Sequence, residues 1–135
     1  MYVRLPLPPE SRIQRSKDVR SVFDRGRSAA AGPVVVYARQ RDDERPPRFA
    51  LVVSKRWGGA VERNRIRRLL RESFRTSRHE LPQGFDFLLL PRNALEQLEM
   101  SQVRTHLMRA ARRAVARCAE AEAARAEAAS GDPAA

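Results

Sequence analysis

Cysteine is almost absent from this chain: Cys118 is the only one among 135 residues. A lone thiol excludes an internal disulfide. With only His79 and His106 to join it, the chain lacks the ligands for a structural zinc site. Long apolar runs are missing too. No segment approaches the roughly 20 apolar residues that a membrane span requires. The first ten residues, MYVRLPLPPE, hold no continuous apolar signal core and are broken by prolines. These absences predict a cytoplasmic protein.

Acids are scarce and scattered. Sixteen Asp and Glu face 27 Arg and Lys, a net charge of +11. Asp18 and Asp24 fall in the first helical segment, Asp42, Asp43 and Glu44 in a turn, and Glu62 and Glu72 among arginines, whose charge they most simply neutralise. No set of carboxylates converges as a metal-dependent nuclease needs. His79 is expected at the end of a helix, against its last carbonyls, and His106 is expected to face solvent. Lysine is nearly absent as well, with Lys17 and Lys55 the only two. Arginine's planar fork suits phosphates and bases, but a GC-rich genome produces the same bias, so no function rests on it.

What is present is one domain's worth of chain, enough for one modest core. A hydrophobic content of 42% is too high for a disordered basic protein. Excess positive charge speaks to partners, and nucleic acid comes first because clustered Arg and Lys are rewarded by counterion release. An anionic membrane surface is the other candidate.

The charge is concentrated. From Ser54 to Arg78 stand Lys55, Arg56, Arg63, Arg65, Arg67, Arg68, Arg71, Arg75 and Arg78 against Glu62 and Glu72, a local charge of +7. Val61, Ile66, Leu69, Leu70 and Phe74 are interleaved, so the segment folds. At roughly 100° per residue, Ile66, Leu69, Leu70, Ser73 and Phe74 share one side of a helix, and Asn64, Arg67, Arg68, Arg71 and Arg75 form an adjoining arc. Like charges at i, i+4 repel by a few tenths of a kcal/mol. Arg67–Arg71–Arg75 accepts this twice, which fits phosphates lying on the arc; the plainer reading is a solvated basic face.

Along the chain, residues 1–11, with Pro6, Pro8 and Pro9, read as an irregular arm. Ser16 is placed to cap a helix running to Arg25, closed by a left-handed Gly26, with Val19, Val22 and Phe23 as its apolar face. Pro33 opens a strand, Val34–Tyr37, and after a turn over Arg41–Pro47 the run Phe49–Val53 is expected to complete a hairpin with it. Gly58-Gly59 precedes the basic helix, Val61–Arg78. Phe85–Leu90 follows as a strand, and strand–helix–strand predicts a parallel βαβ unit. A last helix begins near Glu99–Ser101, with Val103, Leu107, Ala110 or Ala111, and Ala114 on its buried face. Residues 12–118 form the domain. Residues 119–135 form an Ala-rich tail, helix-prone but with nothing bulky to bury, expected to fray and end in disorder. The fold class is α+β: a single-domain α-β-β-α-β-α sandwich with helices on a small mixed sheet.

Lys55–Arg75 also carries a resemblance. A Ser-Lys-basic turn, a Gly-x-Ala-Val helix opening and then Arg63-Asn64-Arg65 followed by spaced basic and aliphatic residues are similar to the signature of the bacterial ribonuclease P protein subunit. The likeness extends, more weakly, from about Arg12 to about Leu107. It implies an unusual left-handed βαβ crossover, where general rules give a right-handed one. It implies a protein that supplies no catalytic side chain but assists a catalytic RNA, which with Mg²⁺ bound mainly by that RNA removes the 5′ leader of precursor tRNA. The expected partners are then the catalytic RNA and precursor tRNA, with neither a membrane nor a small-molecule substrate.

On that resemblance Lys55, Arg56, Arg63, Asn64, Arg65, Arg67, Arg68, Arg71 and Arg75 would dock on the catalytic RNA. Val19, Phe23, Tyr37, Arg12, Arg15 and Lys17 would line the leader cleft. Aromatics there give sequence-tolerant stacking; the plainer reading of Phe23 and Tyr37 is core packing. The chain departs from the family at Val19, where a second aromatic is common, which implies one stacking platform fewer. Trp57 is bulkier than the aliphatic residue usual at its place, and packing and stacking are both open to it. The alternative function is a basic RNA-binding module such as a ribosomal protein, with an independent nuclease as a third.

Overall fold

The computed structural model describes residues 7–130. Its elements are α1 (Ser16–Arg25), β1 (Arg27–Ala31), β2 (Val34–Gln40), β3 (Arg48–Leu51), α2 (Ala60–Ser77), β4 (Phe85–Pro91) and α3 (Met100–Ser130). Short 3₁₀ turns lie at Pro9–Ser11, Lys55–Trp57, Arg78–Glu80 and Leu95–Gln97. The expected α+β sandwich is present, with one strand more than expected.

The apolar run Phe85–Leu90 explains the arrangement. A strand with apolar side chains on both faces belongs in the middle of a sheet, and β4 is buried almost throughout. The strand order is β1-β2-β4-β3. β4 pairs antiparallel with β2, as in Tyr37↔Leu88, and parallel with β3, as in Phe49↔Phe87. The parallel β3–α2–β4 unit is therefore as expected, but the expected β2–β3 hairpin is not formed. β2 instead makes its hairpin with β1, through a turn in which Gly32 has a φ of 54°. β1 was not anticipated because Arg-Ser-Ala-Ala-Ala has little strand propensity of its own. Tertiary partners make it a strand: β2 on one side and, on its free edge, the side chains of Arg113 and Arg117, which donate to the Ala30 and Ser28 carbonyls. Satisfying these edge acceptors blunts a pairing hazard.

Side chains alternate across the sheet. Val34, Val36 and Ala38 of β2 and Phe87 and Leu89 of β4 face α2 and α3, where Ile66, Leu70, Phe74, Val103, Leu107, Ala110, Ala111 and Ala114 complete the main core. Burying each of the large ones is worth about 1.5–3 kcal/mol. The buried faces of both helices match their periodicity, and Ala110 and Ala111 are both buried. Val61, in contrast, is 79% exposed at the start of α2. Trp57 packs against the main core, and the Arg56 guanidinium lies 5.0 Å from its ring centroid.

On the opposite face lies α1, over a smaller cluster of Ile13, Val22 and Leu88 joined by Val19, Tyr37, Ala50, Val52 and Leu90. Ser16 is the first helical residue and makes no cap; Arg15 holds the cap position without a side-chain bond. Gly26 has extended backbone rather than a left-handed one. A Cβ there would strike the carbonyls of Val22 and Ala38, so the glycine serves close approach of α1 to β2. His106 does not face solvent. Its half-buried ring lies over Gly32, and its Nδ1 is buried without a hydrogen bond. His79 stands exposed on the turn directly after α2, at the helix end where it was expected, and among the described residues its side chain makes no hydrogen bond to the last carbonyls.

The arm reading covers 1–11, of which 1–6 lie outside the described residues. Within it, Pro9–Ser11 form a 3₁₀ turn, and Ile13 N–H donates to the Phe49 carbonyl at 2.8 Å along the free edge of β3. The tail is helical further than expected: α3 continues to Ser130, its last ten residues almost wholly exposed, and 131–135 lie outside the described residues.

Candidate nucleic-acid interface

α1 leaves part of the sheet face beneath it accessible, with Val35, Tyr37, Ala50, Val52 and Leu90 only half-buried. Val22 is fully buried beneath α1, whereas Phe23 remains 37% exposed. Phe23 meets Tyr37 edge to face, with ring centroids 4.8 Å apart and planes at 67°. The residue two positions from Tyr37 on β2 points the same way, so Val35 and Arg39 flank it, both half-buried. Two aromatic rings thus stand at the rim of an apolar floor made by Ala50, Val52, Leu88 and Leu90.

At the β3 edge of that face a cleft of about 330 Å³ is lined by Arg12, Ile13, Val19, Ala50, Leu51 and Arg71 among others. Arg12 arrives because residues 12 and 13 run alongside β3. Arg71 arrives from α2, packed on the far side of the sheet but overhanging its edge. The predicted leader-binding Arg12 and Val19 and the predicted docking residue Arg71 therefore meet in one cleft. Arg15 and Lys17 are exposed at the start of α1, outside that lining.

The remaining basic residues spread along α2 and the turn before it. Lys55 and Arg56 are exposed on the 3₁₀ turn; Asn64, Arg65 and Arg68 are exposed on α2; Arg63, Arg67, Arg71 and Arg75 are half-buried. Several of these side chains have local tasks: Arg56 lies over Trp57, and Arg63 donates to the Gly59 carbonyl at 3.4 Å. Arg65 donates to the Glu96 carbonyl at 2.8 Å, tying α2 to the turn before α3, and Arg75 pairs with Glu72. The Arg67–Arg71–Arg75 row is thus relieved of part of its repulsion at one end, as expected of Glu72.

A buried ion network beside this face had no counterpart in the sequence reading. Asp86, the second residue of β4, is 1% exposed. It receives two hydrogen bonds from Arg48, at 2.8 and 2.7 Å, and one from Arg41 Nη1 at 2.6 Å. Arg41 also donates to both Asp43 oxygens and to the Phe85, Arg45 and Pro46 carbonyls. The Arg41 side chain, then the Arg45 backbone N–H, hold the Asp43 carboxyl well below the usual carboxylate range. The detectable signal was Asp86 itself, a charge inside an apolar run, since buried acids require partners. Cys118 donates to the Ala38 carbonyl at 3.2 Å and packs at the margin of the main core, and burial pushes its thiol up. Among the described residues no three His, Cys, Asp or Glu are grouped to hold a metal ion, and no helix is long and apolar enough to cross a membrane.

A family model described as ribonuclease P matches residues 7–115, most of the chain. The chain belongs to the ribonuclease P protein family. Among its relatives, the ribonuclease P protein component of Pelotomaculum thermopropionicum is 34% identical over 102 residues, covering 76% of this chain and 90% of the relative. That of Bacillus cereus strain Q1 is 32% identical over 103 residues, with the same coverage. Two solved ribonuclease P proteins share the fold. The one from Thermotoga maritima has a TM-score of 0.66 at 29% identity, covering 73% of this chain and 92% of that one. The one from Staphylococcus aureus has a TM-score of 0.65 at 27% identity, with 74% and 91% covered. Membership of the ribonuclease P protein family places the chain in tRNA 5′ processing as a subunit of ribonuclease P. The matched residues end at 115, so the outer half of α3 lies beyond the family's span.

Proposed function

We propose that this protein works as the RNA-binding subunit of a ribonucleoprotein in which the RNA performs the hydrolysis. The observation that carries this reading is the shared cleft in which Arg12, Val19 and Arg71 meet beside the Phe23–Tyr37 pair. It joins a platform suited to unpaired bases to the edge of a helix suited to phosphates. Single-stranded leader of precursor tRNA lies across the α1-side sheet face, its bases on Phe23 and Tyr37 and its phosphates near Arg12, Arg15 and Lys17. Lys55, Arg56, Arg63, Asn64, Arg67, Arg68, Arg71 and Arg75 dock on the catalytic RNA, with Arg65 offering the N–H groups that Glu96 leaves unused.

The chain's acids support a non-catalytic role, since several of them are taken: Asp86 and Asp43 by arginines, Glu72 by Arg75 and Glu80 by Arg104. Mg²⁺ is then held mainly by the RNA. The protein's charge screens repulsion between the two RNAs, lowering the Mg²⁺ needed for cleavage.

Reconstitution tests this. Precursor tRNA is expected to stay intact with protein alone, to be cut by catalytic RNA alone only at high Mg²⁺, and to be cut at low Mg²⁺ when both are present. Cleavage by the protein alone would make it an independent nuclease. An unchanged Mg²⁺ requirement would assign its basic helix to another RNA.

Docking through α2 has its own expected result. Asn64 and Arg68 are exposed, and their side chains make no hydrogen bond within the described residues. The double change Asn64→Ala, Arg68→Ala therefore leaves the circular dichroism spectrum unaltered. Losing charge-assisted contacts of about 1.5–3 kcal/mol each weakens filter-binding affinity for the catalytic RNA by tenfold or more. Unchanged affinity would remove this face from the interface.

A further inference from the structure

Where β2 ends, the outer half of α3 passes close to the C-terminus of α1 and leaves a recess of about 340 Å³. Arg25, Arg27, Arg39, Arg41 and Arg125 line it, against Asp42 and Glu122. Arg41 is committed to Asp43 and Asp86. The side chains of Arg25, Arg27, Arg39 and Arg125 form no ion pair among the described residues, and neither do Asp42 and Glu122. Four arginines against two carboxylates leave this concavity an excess of two positive charges, which an anion sharing it would offset. Their placement continues the α1-side face. Arg39 follows Tyr37 on the same side of β2, about 7 Å along the strand, and Arg25 follows Phe23 at the end of α1. Arg125 closes the far wall from a part of α3 that the family match does not reach.

We propose that this recess is a phosphate site for the part of the leader strand beyond the bases stacked on Phe23 and Tyr37, with the α3 extension as its outer wall. The inference rests on the leader-binding reading above. The chemistry recognised is the phosphodiester backbone, since the recess is arginine-rich and has no aromatic ring in its lining. Guanidinium forks at several angles match phosphate oxygens without reading sequence. Glu122 sets a limit on affinity by placing one negative charge in the wall.

The test uses enzyme assembled from full-length protein and catalytic RNA. Two precursor tRNAs are compared, one with a leader reaching only the stacked bases and one extended by several nucleotides. Arg39→Ala and Arg125→Ala are each expected to weaken binding of the long-leader substrate about fivefold, the order of one exposed charge contact, and to leave the short-leader substrate unchanged. Each is expected to lower the slope of log affinity against log salt by about 0.7, the value for one single-strand phosphate contact. Truncation after Cys118, which removes Arg125 together with Glu122 and no large buried side chain, weakens the long-leader complex by less than Arg125→Ala does. Glu122→Gln tightens the long-leader complex alone. Equal loss on both substrates would move the contact to the tRNA body or the catalytic RNA and overturn the proposal, as would an unchanged salt slope. If wild-type protein adds no affinity for either leader over catalytic RNA alone, the leader-binding reading itself fails. If it does so for the short leader and the extension adds nothing, only the recess falls.

Discussion

Replacing Phe23 with alanine is expected to weaken binding of precursor tRNA by about tenfold to a hundredfold, and to leave mature tRNA, which has no leader, nearly unaffected. A base stacked on an aromatic ring is worth about 1–3 kcal/mol, and about 1.4 kcal/mol is a factor of ten. The packing supports this partition. Val22, not Phe23, is the fully buried residue of α1, and Phe23 is more than a third exposed, touching Tyr37 by its edge. A core phenylalanine would cost about 3–5 kcal/mol on truncation; this one should cost well under half of that. Comparative binding and a thermal melt separate the two. Equal loss for both tRNAs with a large fall in Tm would return Phe23 to the core. Val19→Phe is the complementary change. Val19 is half-buried and lines the cleft, so a ring there adds a platform and tightens precursor binding by up to one stacking interaction.

Asp86→Ala is expected to destabilise the fold by about 3–5 kcal/mol, because removing one partner of a buried ion pair leaves the other charge uncompensated. Here two arginines are left. Arg48 loses both of its hydrogen bonds to Asp86 and Arg41 loses one of its strongest contacts. At about 4 °C per kcal/mol for a domain of this size, Tm falls by more than 10 °C, and urea denaturation should show the same loss. A change below about 1 kcal/mol would show that the network behaves as a surface ion pair. The neighbouring Asp43 adds a pH dependence of known sign. Its carboxyl is lowered in the folded protein, so it contributes stability that is present above the ordinary aspartate range and is lost as the pH falls below about 4. Asp43→Asn should flatten that part of the acid-unfolding curve.

Much of the candidate site was legible because it is local. The arginine arc of α2 and its buried face follow from spacing within one helix, and the bounds Ala60–Ser77 differ from the periodic reading by one residue at each end. Phe23 and Tyr37 could be named but not weighed, since whether a ring is core or rim depends on what lies opposite. Asp86 shows the converse limit. Its partners are 38 and 45 residues distant in the chain, and no spacing rule connects them.

The sequence by itself determined the helices, the strands with strong apolar or β-branched runs, the charge that selects a polyanion, and the family. Those signals are periodicity, composition and a contiguous motif, all readable along one dimension. Tertiary structure decided the strand order, with β4 rather than β3 beside β2, because exchanging neighbours in a sheet alters no local pattern. It also decided that an alanine-rich segment becomes β1, since pairing and the Arg113 and Arg117 contacts outweigh weak intrinsic propensity. The meeting of Arg12 with Arg71, and of Arg39 with Arg125, belongs to the same level: each pair is brought together by packing across the sheet, at separations where only the folded chain sets the distance.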